Sequence, residues 1–149
     1  MNILDMSAGN RAVWMNKKHP LATYLDIRPE VNPDMVCDTR TMSKVIKKKF
    51  DLFVFDPPHI NVGKTSNMAK CYGHHTTAQI REVVFRSARE AHRMAKKNAL
   101  MAFKWNDHDI KLKEILDSMQ VYWEPLFGHH TRNGPSAKSQ TYWVMLRRK

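Results

Sequence analysis

The sequence predicts an α/β fold, a doubly wound and mostly parallel sheet of seven strands ending in an antiparallel hairpin. Three observations carry that prediction. Short apolar runs of strand length alternate with helical segments, the pattern of a parallel sheet covered by helices. Four of those runs end on an aspartate: Asp5, Asp26, Asp38 and Asp56. Two closing apolar runs flank a Gly- and Pro-containing loop and read as a hairpin.

Taken in order, Asn2–Asp5 is a short strand, and Asn10 through Lys18 reads as a helix with Asn10 as its cap. Ala22–Asp26 is the second strand, followed by a stretch that Pro29 and Pro33 keep from forming a long helix. Met35–Asp38 is the third. Thr41 then caps a short helix with Lys44, Lys47 and Lys48 on its outer face. The plainest strand is Asp51–Asp56, DLFVFD, stopped by Pro57 and Pro58. A long loop, His59 to His75, follows. Thr76-x-x-Gln79 is a capping box, and Ile80, Val83, Val84, Ala88, Ala91 and Ala95 keep helical spacing toward Lys97. Ala99–Lys104 is the fifth strand, and Leu112, Ile115, Leu116 and Met119 mark the buried face of another helix. Val121–Phe127 and Thr141–Arg147 complete the sheet.

The 149 residues suit one domain, 1–149, with no interdomain linker or repeat. Apolar content of 42% excludes a disordered chain. Apolar runs such as Ala99–Phe103 are far too short to span a membrane. No secretory signal is visible, and Cys37 and Cys71 form no CxxC pair, so a reducing, cytoplasmic setting is expected. The net charge of +11 points to a polyanionic partner or an anionic surface.

In an open α/β sheet, ligands bind beyond the carboxyl ends of the strands. Four aspartates at four such ends of a basic protein therefore read as a site. The first loop, Asp5-Met6-Ser7-Ala8-Gly9-Asn10-Arg11, is small enough for a ligand to approach its backbone. It is neither a P-loop nor a GxGxxG turn, which disfavours a dinucleotide. Asp26 follows Asp5 at the spacing from which an acid reaches a ribose hydroxyl pair.

Asp56-Pro57-Pro58-His59 after an apolar strand resembles the D/N-P-P-aromatic motif of the class I S-adenosylmethionine-dependent amino-methyltransferases, including DNA adenine methyltransferases without a target-recognition domain. The resemblance runs from Ile3 to Arg147 and implies a Rossmann-like methyltransferase domain. It implies S-adenosyl-L-methionine as cofactor, held by Asp5, Ser7, Ala8, Gly9, Asn10, Asp26, Asp38 and Thr39. Asp56, Pro57, Pro58 and His59 would be catalytic, acting on an exocyclic amine of a nucleic-acid base. Asp56 carboxylate and Pro57 carbonyl would accept the two amine N–H bonds, and no metal is needed.

Three departures stand out. His59 replaces the family's larger aromatic, and either stacks on an extruded base or is a loop histidine packing elsewhere. Asn10 and Arg11 occupy the place of a second glycine. The first strand opens the sequence where the family often has a covering helix, and no recognition domain is visible, so target selection is expected to fall to loops, a homodimer or a partner subunit.

The candidate substrate contacts are Lys64 and His74 in the long loop, Trp105 and Asn106 after the fifth strand, and His130, Arg132 and Lys138 near the hairpin tip. Trp105 serves equally well as core, whereas Trp14, Trp123 and Trp143 read as structural. Adenine N6 in DNA is the first expected target and RNA the second. A non-catalytic nucleic-acid-binding subunit is the rival from another class, and a small-molecule N-methyltransferase fits the charge poorly.

Overall fold

The computed structural model describes residues 1–60, 75–131 and 138–149. Seven strands form one sheet: β1 (Ile3–Asp5), β2 (Ala22–Asp26), β3 (Met35–Val36), β4 (Phe50–Phe55), β5 (Ala95–Asn106), β6 (Trp123–Thr131) and β7 (Thr141–Arg148). Their order is β3-β2-β1-β4-β5-β7-β6, with β7 antiparallel to both its neighbours and every other pairing parallel. The fold class expected from the sequence is the one observed.

Helix α1 (Thr77–Met94) begins at the expected capping box. Gln79 N donates to Thr76 Oγ1 at 3.2 Å, and Thr76 N donates to Gln79 Oε1 at 2.8 Å. It stops at Met94, short of Lys97, and passes directly into β5. Helix α2 (Leu112–Met119) follows β5. Both helices pack on one face of the sheet, where Ile80, Val84, Ala88, Ile115 and Met119 meet Phe53, Phe55, Met101, Phe103 and Trp105. Two indoles pin this core from inside. Trp105 Nε1 donates to Ile110 O and Trp123 Nε1 to Ala88 O, each at 2.9 Å.

The helix expected from Asn10 to Lys18 is absent, and a run of turns takes its place. Gly9 at φ +47° and Arg11 at φ +56° are both left-handed, which a right-handed helix cannot accommodate. Side chains hold this segment instead. Arg11 donates to Lys17 O at 2.8 Å and Asn32 O at 3.1 Å, and its guanidinium lies 3.9 Å above the Tyr24 ring. Trp14 meets the same ring edge-on at 5.2 Å. A second correction concerns the next turn. Asp38, not Thr41, is the cap of a 3-10 turn over Thr39–Lys44, accepting from Arg40 N at 2.8 Å.

The turn segment thus covers the second face over β2, but neither α-helix reaches that face over β4, β5, β7 and β6. Leu52, Leu100, Ala102, Trp143 and Met145 are only half-buried there. The hairpin itself is close-packed at Gly128, where an added Cβ would lie 2.8 Å from Trp143 O and 3.3 Å from Val144 Cγ2. Gly128→Ala should therefore lower Tm by roughly 3–10 °C, from an overpacking cost of about 1–3 kcal/mol. Thermal unfolding followed by circular dichroism checks this, and an unchanged Tm would mean that β6 shifts freely.

Candidate active site

The sheet order reverses about β1, which lies between β2 and β4, so the crevice of an open α/β sheet forms beyond the ends of these three strands. Asp5 ends β1, Asp26 ends β2, and Asp56 follows β4. Asp5 is almost fully buried. Its Oδ2 accepts from Trp14 Nε1 at 2.7 Å and its Oδ1 from Ser7 N at 3.2 Å. Burial pushes its carboxyl up to about 6 against the pull of these two donors, and the nearby Asp56 and Asp26 charges add to the rise.

The first loop is laced to both neighbours. Met6 N donates to Val54 O and Ala8 N to Leu25 O, each at 2.9 Å. Asp56 N donates to Ser7 Oγ at 2.9 Å, and Gly9 N to Asp26 Oδ2 at 2.8 Å. Arg28 grips the rest of Asp26, with N and Nε 3.0 Å from Oδ1 and Nη2 3.2 Å from Oδ2. Burial works against the Asp26 charge, but Arg28 and the Gly9 amide outweigh it and hold the carboxyl below the usual range. A Cβ on Gly9 would sit 3.2 Å from Arg28 Nη2, so glycine serves both the left-handed turn and the arginine's approach. Asn10 is exposed just beyond.

Asp38, expected to end the third strand, does not: β3 stops at Val36 and Asp38 caps the following turn. There Arg40 clasps it at 3.0 Å through Nε and 2.6 Å through Nη2 and holds its carboxyl low. The Thr39 hydroxyl lies 2.6 Å from that of Ser87 on α1.

At the end of β4, Asp56 Oδ2 accepts from Lys104 Nζ at 2.7 Å. Its Oδ1 faces His59 Nδ1 at 3.8 Å. His59 Nδ1 also lies 2.9 Å from Pro57 O, which orients the ring back over its own turn. Burial, reinforced by Lys104, lowers the His59 pKa despite Asp56 and the Pro57 carbonyl, which favours the neutral ring. Pro57 is buried and Pro58 half-buried. Trp105 presents no surface of its own, since it is fully buried, and meets His59 edge-on at 6.0 Å. Asn106 is buried, bonding Thr141 Oγ1 at 3.0 Å.

His130 sits on the hairpin, its Nδ1 2.6 Å from Gln140 Nε2, and Lys138 is exposed. Lys64, His74 and Arg132 lie outside the described residues. The sequence reading overlooked Lys104, Arg28 and the hydrogen bond from Trp14. Only Lys104 left a signal, a cation closing the otherwise apolar run ALMAFK. Among the described residues no group of His, Cys, Asp and Glu could hold a metal, and no helix is long and apolar enough to cross a membrane.

No family model matches the sequence, and no curated protein matches it. Solved structures do match the fold. N-methyltransferase NodS from Bradyrhizobium japonicum WM9, in complex with S-adenosyl-L-homocysteine, superposes with a TM-score of 0.67 at 12% identity, over 99% of this chain and 77% of that one. TrmN from Thermus thermophilus gives 0.65 at 11% identity, over all of this chain (100%) and 44% of that one. An rRNA methylase from Streptococcus thermophilus gives 0.56 at 8% identity, over 98% and 86%. At these identities the likeness shows the fold of methyltransferases.

Asp5 makes the site sensitive to pH. Its raised pKa means the folded state keeps a proton that the unfolded chain releases. The stability this proton confers is complete below the ordinary aspartate pKa and is lost as pH rises through about 6. The loss amounts to at most about 3 kcal/mol. Asp5→Asn should therefore gain stability relative to the wild type between about pH 4 and pH 7 in urea unfolding. Parallel pH curves for the two proteins would place the carboxyl in a solvated setting instead.

Proposed function

We propose that the protein is an S-adenosyl-L-methionine-dependent methyltransferase that acts on an exocyclic amine of a nucleic-acid base, adenine N6 in DNA first and RNA second. One observation carries the reading. Asp56-Pro57-Pro58-His59 stands beside the switch point of a methyltransferase-type sheet, with one Asp56 oxygen held by Lys104 and the other directed toward His59.

The residues present fit the cofactor's charge. Asp5, Asp26 and Asp56 interact across the crevice of an otherwise strongly basic chain, and they complement a ligand carrying a sulfonium and an ammonium group. By resemblance, Ser7, Ala8, Gly9 and Asn10 would line the methionine part, Asp26 the ribose, and Asp38 with Thr39 the adenine. Bound there, the cofactor supplies a methyl group already activated as a sulfonium.

The chain's own work is then to prepare the amine. An exocyclic nitrogen delocalises its lone pair into the base, so two acceptors aimed at its N–H bonds are needed to restore tetrahedral geometry. Asp56 Oδ1 is one. The Pro57 carbonyl is the other, because accepting from His59 uses one of its two lone pairs. Lys104 fixes the carboxylate rotamer and keeps Oδ2 out of competition. The two prolines stiffen the turn and remove backbone donors, and the neutral His59 adds no repulsion toward a cationic ligand. After transfer, the methylated nitrogen sheds its proton to Asp56, which is open enough to pass it to solvent. Preorganised acceptors and alignment are the source of rate.

A non-catalytic nucleic-acid-binding subunit is the second reading, favoured by Arg28. Its guanidinium and amide occupy Asp26, and the side chain must leave before a ribose diol can replace it. Calorimetry with S-adenosylmethionine separates the two, since the subunit would bind none.

The test of the activity is transfer of labelled methyl to DNA and RNA, single- and double-stranded, followed by nucleoside analysis. A methylated adenosine is expected; transfer to none of these polymers would overturn the proposal. Asp56→Ala should lower transfer roughly 100-fold or more while cofactor binding persists. Lys104→Met should lower kcat and leave the KM for S-adenosylmethionine unchanged, with Lys104→Arg recovering most of the loss. A KM effect alone would make Lys104 a binding residue.

A further inference from the structure

We propose that the bare sheet face over β5, β7 and β6 is a base-stacking track for a single-stranded nucleic acid, leading the strand to Asp56. The inference rests on the reading of the site as one that acts on a nucleic-acid base, and deepens it by naming the form of the substrate. Strand register supplies the geometry. Lys104 of β5 lies opposite Trp143 of β7, and Trp143 lies opposite His129 of β6. Directly paired residues project from the same face, and neighbouring strands are about 4.8 Å apart. A row of side chains therefore runs Lys104, Trp143, His129 outward from the Asp56 carboxylate that Lys104 grips. Ala102, Met145 and Phe127 form a second row beside it.

The second row depends on an irregularity. Pro125 pairs with Leu146, but Phe127 pairs with Met145, so Leu126 is an extra residue in β6. Such a bulge re-aims the side chains beyond it. Without it Phe127 would share the buried face with Leu146; with it, the ring stands on the open face and is 70% exposed. A shallow groove of about 200 Å³ runs between Phe127, His129, Trp143 and Met145, floored by Ala102 and Gly128. Among the described residues nothing covers it.

Charge selects the occupant. From Trp123 to Lys149 there are five Lys and Arg and a single acid, Glu124, which Arg147 already holds at 2.5 Å. Aromatic plates set on a sheet and flanked by cations are how single strands are bound, because each unpaired base offers a face to stack. A duplex keeps those faces to itself. The track is continuous with the candidate site, so a base leaving it arrives at Asp56 without the cost of extrusion.

Fluorescence anisotropy tests this on the full chain, with fluorescein-labelled single strands of about 12 nucleotides, DNA and RNA, and the same DNA as a duplex. The wild type should bind the single strand more tightly than the duplex. Phe127→Ala and His129→Ala should each weaken binding roughly 5-fold or more, and Phe127→Trp should keep it. Lys138→Ala should instead lower the salt slope by about one. Phe127 is exposed, so its variants should retain the wild-type circular dichroism and S-adenosylmethionine binding. Wild-type affinity in Phe127→Ala and His129→Ala, or tighter duplex binding, overturns the track. So does a wild-type dimer in sedimentation that Phe127→Ala dissociates, which assigns the face to a second copy. If methyl transfer to nucleic acid persists in any of these cases, the functional reading survives the loss of the track. Absence of both transfer and binding by the wild type removes the reading and the track together.

Discussion

β1 is three residues long, yet it sits inside the sheet between β2 and β4, and what holds its following loop decides how Asp5, Asp26 and Asp56 lie relative to one another. Within four residues the chain bonds first to the β4 side and then to the β2 side. Met6 reaches Val54, Ser7 receives the Asp56 amide, Ala8 reaches Leu25, and Gly9 reaches the Asp26 carboxylate. A backbone amide buried without a partner is costly, so this lacing is obligatory once the loop is packed. It leaves Asp5 no path to solvent. Burial makes the carboxyl hold its proton more tightly, and the indole of Trp14 and the Ser7 amide, standing in for water, offset only part of that. The weakened acidity of Asp5 is thus a product of the burial that the lacing imposes, with the Asp56 and Asp26 charges adding to it.

The sheet was legible in the sequence because its signals are local. DLFVFD bounded by two prolines, the Thr76–Gln79 capping box, and the aspartates at strand ends each need only a few residues to read. The segment after Gly9 was not, because Asn10 and its apolar successors fit a helix. Only the left-handed Gly9 and Arg11, and the stacking of Arg11 and Trp14 on Tyr24, exclude one. These are tertiary contacts with no sequence period. In the same way Asp38 caps its turn because Arg40 folds back on it, a pairing that spacing alone does not distinguish from a cap at Thr41.

The candidate site was legible in its anions and obscure in its cations. Aspartate at a strand end announces itself, whereas the arginines and lysine that hold these aspartates come from different places. Arg28 and Arg40 lie two residues beyond their partners, and Lys104 comes from a different strand. Only β4–β5 pairing brings Lys104 to Asp56, and that pairing crosses an irregularity between Phe50 and Leu52. Trp105, equally adjacent in sequence, points to the opposite side and disappears into the core, as alternation along a strand requires.

The position of β1 also has a consequence for how the crevice comes to exist. β1 joins two parts of the chain, pairing Leu4 with Thr23 of β2 on one side and with Phe53 of β4 on the other. Its three residues offer too little apolar surface to hold a place without both neighbours. Since Asp5, Asp26 and Asp56 gather only when it is seated between them, the crevice is a property of three strands at once, and loss of either pairing removes it.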